Sequence, residues 1–272
     1  MKILITGTSG FIGKSFQEHF EQTNEVVTWS RNSISLTAAL NLYQPELILH
    51  CAAEIYNADV MQQSNIGLVY EILEWQRLNP TARMITIGSS AEYGPVDRAT
   101  RETDRINPQN VYEATKGAAT LLCQGYARQF GIHTCVSRIY SGYGAYERSR
   151  RLFPTLYRAF FKNEPMTVFE GVHDFIYIKD FIRGIEILIA HDWPAGELVN
   201  FGSGVQTTNS QVLAAWERVT GRQAPVTFKD SFMRAHDTLV WQCDTAYARE
   251  QYGFTTEYTL DAGIADMIER LQ

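Results

Sequence analysis

Cysteine is scarce and scattered in this chain of 272 residues: Cys51, Cys123, Cys135 and Cys243 form no C-x-x-C pair. That spacing excludes a clustered zinc site and a disulfide framework, and it fits a reducing compartment. The 6 histidines show no metal-ligand spacing, so no metal is expected. Positive charge is outnumbered, with 24 Lys and Arg against 30 Asp and Glu for a net charge of −6. Such a balance lacks the basic surface that nucleic acid or an anionic membrane requires. No apolar run approaches the ~18 residues that cross a bilayer, and the stretch before Thr6-Gly7 is too short for a signal h-region. The expectation is a cytoplasmic protein with a small-molecule partner.

What is present is a large apolar fraction, 45% of residues, enough to bury a substantial core. In the first half, short apolar runs alternate with amphipathic stretches, the pattern of βαβ units and a parallel sheet. Ile3 to Ile5, Glu25 to Trp29, Glu46 to Cys51, Arg83 to Ile87 and His133 to Ile139 are expected strands. Phe11 to Phe20, Asp59 to Trp75 and Asn110 to Phe130 each carry one apolar face and are expected helices. Beyond about residue 145 the pattern loosens. Ser149 to Lys162, Phe181 to Ala190 and Ser210 to Thr220 read as helices, Met166 to Phe169 and Glu197 to Phe201 as short strands.

Directly after the first strand stands Thr6-Gly7-Thr8-Ser9-Gly10-Phe11-Ile12-Gly13, three glycines that open a helix. Glycine there permits a tight turn and lets the backbone approach a pyrophosphate held at the positive end of the helix. This motif predicts a doubly wound α/β fold of the Rossmann kind. Residues 1–145 would form the NAD(P)-binding portion, and residues 146–272 a smaller α/β substrate-binding portion packed with it as one unit, some strands returning to the core. An NAD-preferring site places a carboxylate at the end of the second strand. Here the residues are Trp29-Ser30-Arg31-Asn32, so Arg31 favours NADP over NAD. The short stretch from Asn32 to Leu36 leaves room for only a reduced third strand.

Tyr112 and Lys116 stand at i and i+4, on one helix face. A tyrosine beside an ammonium can exchange a proton with a sugar hydroxyl or ketone while hydride moves to or from a nicotinamide. The expected strand ending at Ile87 runs into Gly88-Ser89-Ser90-Ala91-Glu92-Tyr93-Gly94, which places hydroxyls at the carboxyl end of a parallel strand, where ligands bind.

Taken in order, TGTSGFIG, GSSAEYG and YEATK resemble the extended short-chain dehydrogenase/reductase family, the NAD-dependent epimerase/dehydratase group acting on nucleotide sugars. The resemblance continues through His50-Cys51-Ala52-Ala53, Asn65, the segment Arg138 to Gly144, His173 to Asp180, Asn200 to Gly204 and Arg234-Ala235-His236-Asp237. It implies Ser89, Tyr112 and Lys116 as the catalytic set. It implies a cofactor site of Gly7, Ser9, Gly10, Phe11, Ile12, Gly13, Arg31, Cys51, Ala52, Ala53, Asn65, Ile87, Tyr112, Lys116 and Ile139. Substrate contacts would come from Ser89, Ser90, Tyr112, Ser141, Arg151 and Arg234.

Departures from that family's pattern narrow the reaction. Its 4,6-dehydratases carry Asp-Glu directly after the catalytic hydroxyl residue, where this chain has Ser90 and Ala91. Glu92 comes one residue late, and in an extended segment its side chain would turn the other way. The reductoisomerases have Cys where Ala91 stands, which argues against 3,5-epimerisation. The expected function is therefore reduction of a nucleotide-linked 4-keto(-6-deoxy) sugar with NADP or NAD. The alternative is a 4-epimerase with tightly held NAD, and a third reading is a non-catalytic dinucleotide sensor. The resemblance further implies a homodimer.

Overall fold

The protein is described by a computed structural model covering residues 1–229 and 239–272. Its strands are β1 (Lys2–Thr6), β2 (Glu25–Trp29), β3 (Leu47–His50), β4 (Arg83–Ser89), β5 (Thr134–Ile139), β6 (Ser141–Tyr143), β7 (Met166–Phe169), β8 (Val172–Tyr177), β9 (Glu197–Phe201), β10 (Gln206–Thr208) and β11 (Val226–Lys229). Its helices are α1 (Phe11–Phe20), α2 (Leu36–Tyr43), α3 (Ala58–Met61), α4 (Leu68–Leu78), α5 (Val111–Phe130), α6 (Leu152–Lys162), α7 (Ile178–Ala190), α8 (Asn209–Thr220), α9 (Ala246–Tyr252) and α10 (Leu260–Leu271).

Six parallel strands form the central sheet in the order β2-β1-β3-β4-β5-β9. Alternation along each strand feeds two cores. Ile3 and Ile5 face one with Phe16, Phe181 and Phe201, while Leu4 faces the other with Leu40, Ile72 and Leu73. Burial on both faces explains why these strands read as continuous apolar runs. The chain steps from β1 to β2 on one side and to β3 on the other, so the sheet's switch point lies between β1 and β3.

At the β2 edge the expectation of a reduced third strand is corrected. Residues Ser30 to Ser35 form a turn closed by Trp29 Nε1 donating to the Ile34 carbonyl at 2.8 Å. Ser35 then caps α2 by accepting from Ala38 N at 3.2 Å. Capping starts the helix so early that no residues remain to cross back as a strand.

The long helix expected from Asp59 is also modified. A π-helical turn, Gln62–Gly67, separates α3 from α4 and carries Asn65. Two small sheets flank the main one: β10-β8-β6 and β11-β7. Strand β8 was not expected, because VHDFIY mixes charged and apolar residues without a clean period. Asp174 in it is fully buried and accepts from the backbone N–H of Ser203, Gly204 and Cys243. β9, from the later part of the chain, lies against β5 in the central sheet.

Candidate active site

The carboxyl ends of β1, β3, β4 and β5 define one rim of the sheet, where Gly7, Cys51, Ser89 and Ser141 follow or end these strands. Gly7 has φ of +76°, and a Cβ on it would meet Ala52 N at 2.6 Å. A Cβ on Gly13 would meet the Gly7 carbonyl oxygen at 2.3 Å. Both positions therefore demand glycine. Gly10 donates its N–H to the Gly7 carbonyl at 2.9 Å and precedes α1 without any side chain capping that helix. The first-turn N–H groups have no intrahelical partners, leaving donors and the positive helix end for an anion. This backbone cradle fits the pyrophosphate of a dinucleotide.

Thr6 fastens the neighbouring loop. Its hydroxyl accepts from Ala52 N at 3.2 Å and hydrogen-bonds His50 Nδ1 at 2.9 Å. Cys51 and Ala52 thus lie against the glycine loop, with Ala53 next in the chain. Burial, reinforced by Lys116, pushes the His50 imidazole down to about 3, so it is neutral. Ile139 ends β5 opposite Ser89, and Ile87 stands two residues before the end of the adjacent β4. Phe11 packs beside Gly142 and Gly144, where a Cβ would lie 3.6 and 3.2 Å from its ring.

Asn65 is buried and fully engaged. It donates to Thr115 Oγ1 and to the Glu54 carbonyl, each at 2.9 Å, and accepts from Glu54 N at 2.7 Å. Here it fixes the loop after β3 to α5. Arg31 is exposed, and its Nη2 donates to Ser64 Oγ.

Ser89 ends β4 and Tyr112 is the second residue of α5, with Lys116 one turn later. The α5 start is set by Asn110, whose Oδ1 accepts from Glu113 N at 3.0 Å. Burial raises the Tyr112 pKa, opposed by the Ser89 hydroxyl and the Arg151 charge. Lys116 is buried, its ammonium donates to the Ile87 carbonyl, and burial lowers its pKa against the opposing charge of Glu92. Ser89 thus stands at the end of β4 near Tyr112, while Lys116 reaches the carbonyl of Ile87 two residues earlier on the same strand.

Glu92 corrects the expectation of an extended segment. Residues Ser90–Tyr93 form a 3₁₀ turn closed by a capping box: Ser89 Oγ accepts from Ala91 N at 3.2 Å, and Glu92 Oε1 accepts from Ser89 N at 2.8 Å. The turn buries Glu92 completely, against Arg138 Nε at 2.9 Å. Ser90 is buried too. The spacing Ser89-x-x-Glu92 is the readable sign of such a box.

At the mouth, Arg151 pairs with Glu147 at 3.2 Å and Arg148 lies 5.3 Å from the centre of the Tyr56 ring. Arg148 and Tyr56 were not foreseen as a pair, because they are remote in sequence and meet only in space. Burial pushes the Glu147 carboxyl up to about 7. Ser141 Oγ sits 3.2 Å from His173 Nδ1. Arg234, with the Arg234-Ala235-His236-Asp237 element, lies outside the described residues. Among the described residues no group of His, Cys, Asp or Glu is arranged to hold a metal.

A family model described as the NAD dependent epimerase/dehydratase family matches residues 3–202. The chain belongs to this family. Its relatives include an uncharacterized UDP-glucose epimerase of Bacillus subtilis (strain 168), 23% identical over 311 residues, covering 100% of this chain and 98% of that protein. A dTDP-glucose 4,6-dehydratase of Haemophilus influenzae is 24% identical over 311 residues, covering 96% of this chain and 90% of that one. Among solved structures, UDP-glucuronic acid 4-epimerase from Bacillus cereus, in complex with UDP-glucuronic acid and NAD, superposes with a TM-score of 0.87 at 22% identity over 100% of both chains. That likeness establishes the Rossmann-type α/β fold of an epimerase/dehydratase family member.

Proposed function

We propose that this family member is an NAD(P)-dependent oxidoreductase of a nucleotide-linked sugar, acting as a 4-keto(-6-deoxy) sugar reductase. One observation carries the reading: the carboxylate following Ser89 is turned inward, Glu92 lying on Arg138, while Ser90 and Ala91 bring no acid to the rim. A hydroxyl and a phenol suffice for proton transfer at one carbon, whereas expelling water from a neighbouring carbon needs further acid and base groups.

In this mechanism the Ser89 hydroxyl hydrogen-bonds the substrate's C4 oxygen and polarises it. The Tyr112 phenol, kept protonated by its buried setting, gives its proton to that oxygen. Lys116 holds positive charge beside the phenolate that results. A nicotinamide dinucleotide held at the loop of Gly7, Gly10 and Gly13 would, when bound in its reduced form, supply hydride. Arg151, whose charge is felt at Tyr112, would hold substrate phosphate.

Arg31 at the end of β2, with no carboxylate beside it, supports NADP as the preferred dinucleotide. Exposed Tyr70, Leu121 and Phe130 on α4 and α5 support a homodimer through these helices. Free Cys51, Cys123, Cys135 and Cys243 support a reducing, cytoplasmic setting.

The 4-epimerase reading is supported by the full-length likeness to epimerases. The absorbance of freshly purified protein separates the two: retained nicotinamide supports the epimerase, and consumption of added NADPH with a nucleotide-linked keto sugar supports the reductase. Absence of turnover with either would leave the sensor reading.

A further inference from the structure

Glu92 joins three elements through one carboxylate. Oε1 accepts from Ser89 N at the end of β4 at 2.8 Å. Oε2 accepts from Thr120 Oγ1 of α5 at 2.7 Å and from Arg138 Nε of β5 at 2.9 Å. Its side chain is wholly buried, and that of Arg138 is 3% exposed, with the guanidinium 4.5 Å from the centre of the Tyr93 ring. Thr120 lies one helical turn beyond Lys116, so the carboxylate sits beside the face that carries both lysine and tyrosine.

We propose that Glu92 is the positioning residue of the catalytic set: its buried carboxylate fixes the backbone of Ser89 and supplies the counter-charge that keeps Lys116 an ammonium. The inference rests on the reading of Ser89, Tyr112 and Lys116 as the proton-handling group. Burial draws Lys116 toward the neutral amine, and Glu92 is the largest influence opposing it. His50 at the end of β3 and Cys51 just after it face Lys116 from outside its helix, and Cys123 lies further along α5 itself. His50 is neutral, and burial holds both thiols protonated, so none of them replaces the carboxylate's charge. Arg138 is engaged with Glu92 and Tyr93. Without its counter-charge Lys116 would lose its proton at a lower pH and cease to stabilise the Tyr112 phenolate.

The test is an NMR titration of isotopically labelled lysine in the full-length protein, with Lys116 assigned by Lys116→Met. Glu92→Gln keeps a carbonyl oxygen to accept from Ser89 N and presents an amide N–H that can donate to Thr120 Oγ1, while removing the charge. Because it also leaves Arg138 unpaired in the core, the double variant Glu92→Gln/Arg138→Met is measured beside it and removes that penalty. The expected result is a Lys116 midpoint lowered by about one pH unit or more in Glu92→Gln, and lower in the double variant than in Arg138→Met alone, which shares the loss of the guanidinium charge. A midpoint unchanged in folded Glu92→Gln, or the same in the folded double variant as in Arg138→Met, would overturn the proposal, since a purely structural Glu92 changes the melting temperature without moving the lysine. No sugar or turnover enters this titration, so an error in the assigned reaction cannot imitate its failure.

Discussion

The Gly7 carbonyl oxygen stands 2.3 Å from where a Gly13 Cβ would be, so the first turn of α1 closes onto the loop it follows. Gly13→Val would force them apart and displace the N–H groups at the helix start. The variant is expected to lose the stabilisation that added NADPH gives the wild type in a thermal-shift measurement.

Tyr112 carries the proton in the proposed chemistry. Tyr112→Phe removes only the hydroxyl of a partly buried ring, so the fold and cofactor affinity should persist while kcat falls by roughly 10²–10⁴-fold. Steady-state rates together with NADPH binding by fluorescence separate the two effects.

In the proposed function Arg31 is the residue that selects NADP. Arg31→Ala is expected to weaken NADP binding by about tenfold or more, the loss of one charge-assisted contact, and to leave NAD binding almost unchanged. Calorimetric titration of both dinucleotides checks it.

Glu102 supplies a pH signature in stability. Its Oε1 accepts from Asn200 N at 2.9 Å, and burial pushes its carboxyl from 4.5 up to about 7. Within that window the folded protein holds a proton that the unfolded chain releases, so this group's contribution to stability declines as pH rises. The Glu102→Gln variant keeps the acceptor without the titration. Its melting temperature should gain on the wild type between pH 5 and pH 8, and the difference cancels contributions common to both proteins, including the opposite one from His50.

Much of this architecture is readable in order along the chain. Strong local rules govern the glycine loop, α1 and the Tyr112–Lys116 face: turn geometry, amphipathic period and i, i+4 spacing. The helix proposed from Asp59 contained a π turn because Asn65 bonds to Thr115 and Glu54, partners remote in sequence. Strand β8 was missed because its buried Asp174 is satisfied by backbone groups some thirty and seventy residues away, and a charged residue in a short strand masks the alternation. Glu92 was read as one residue out of place because an extended segment was assumed. The capping box turned the segment into a 3₁₀ helix and sent the side chain into the core.

The central claim is that Tyr112 protonates a sugar oxygen as hydride reaches the adjoining carbon. Mass spectrometry of a nucleotide-linked 4-keto sugar incubated with NADPH deuterated at the transferable position tests it most directly. The account predicts one deuterium at C4 with the wild type and none with Tyr112→Phe. Equal incorporation by the two proteins would contradict it.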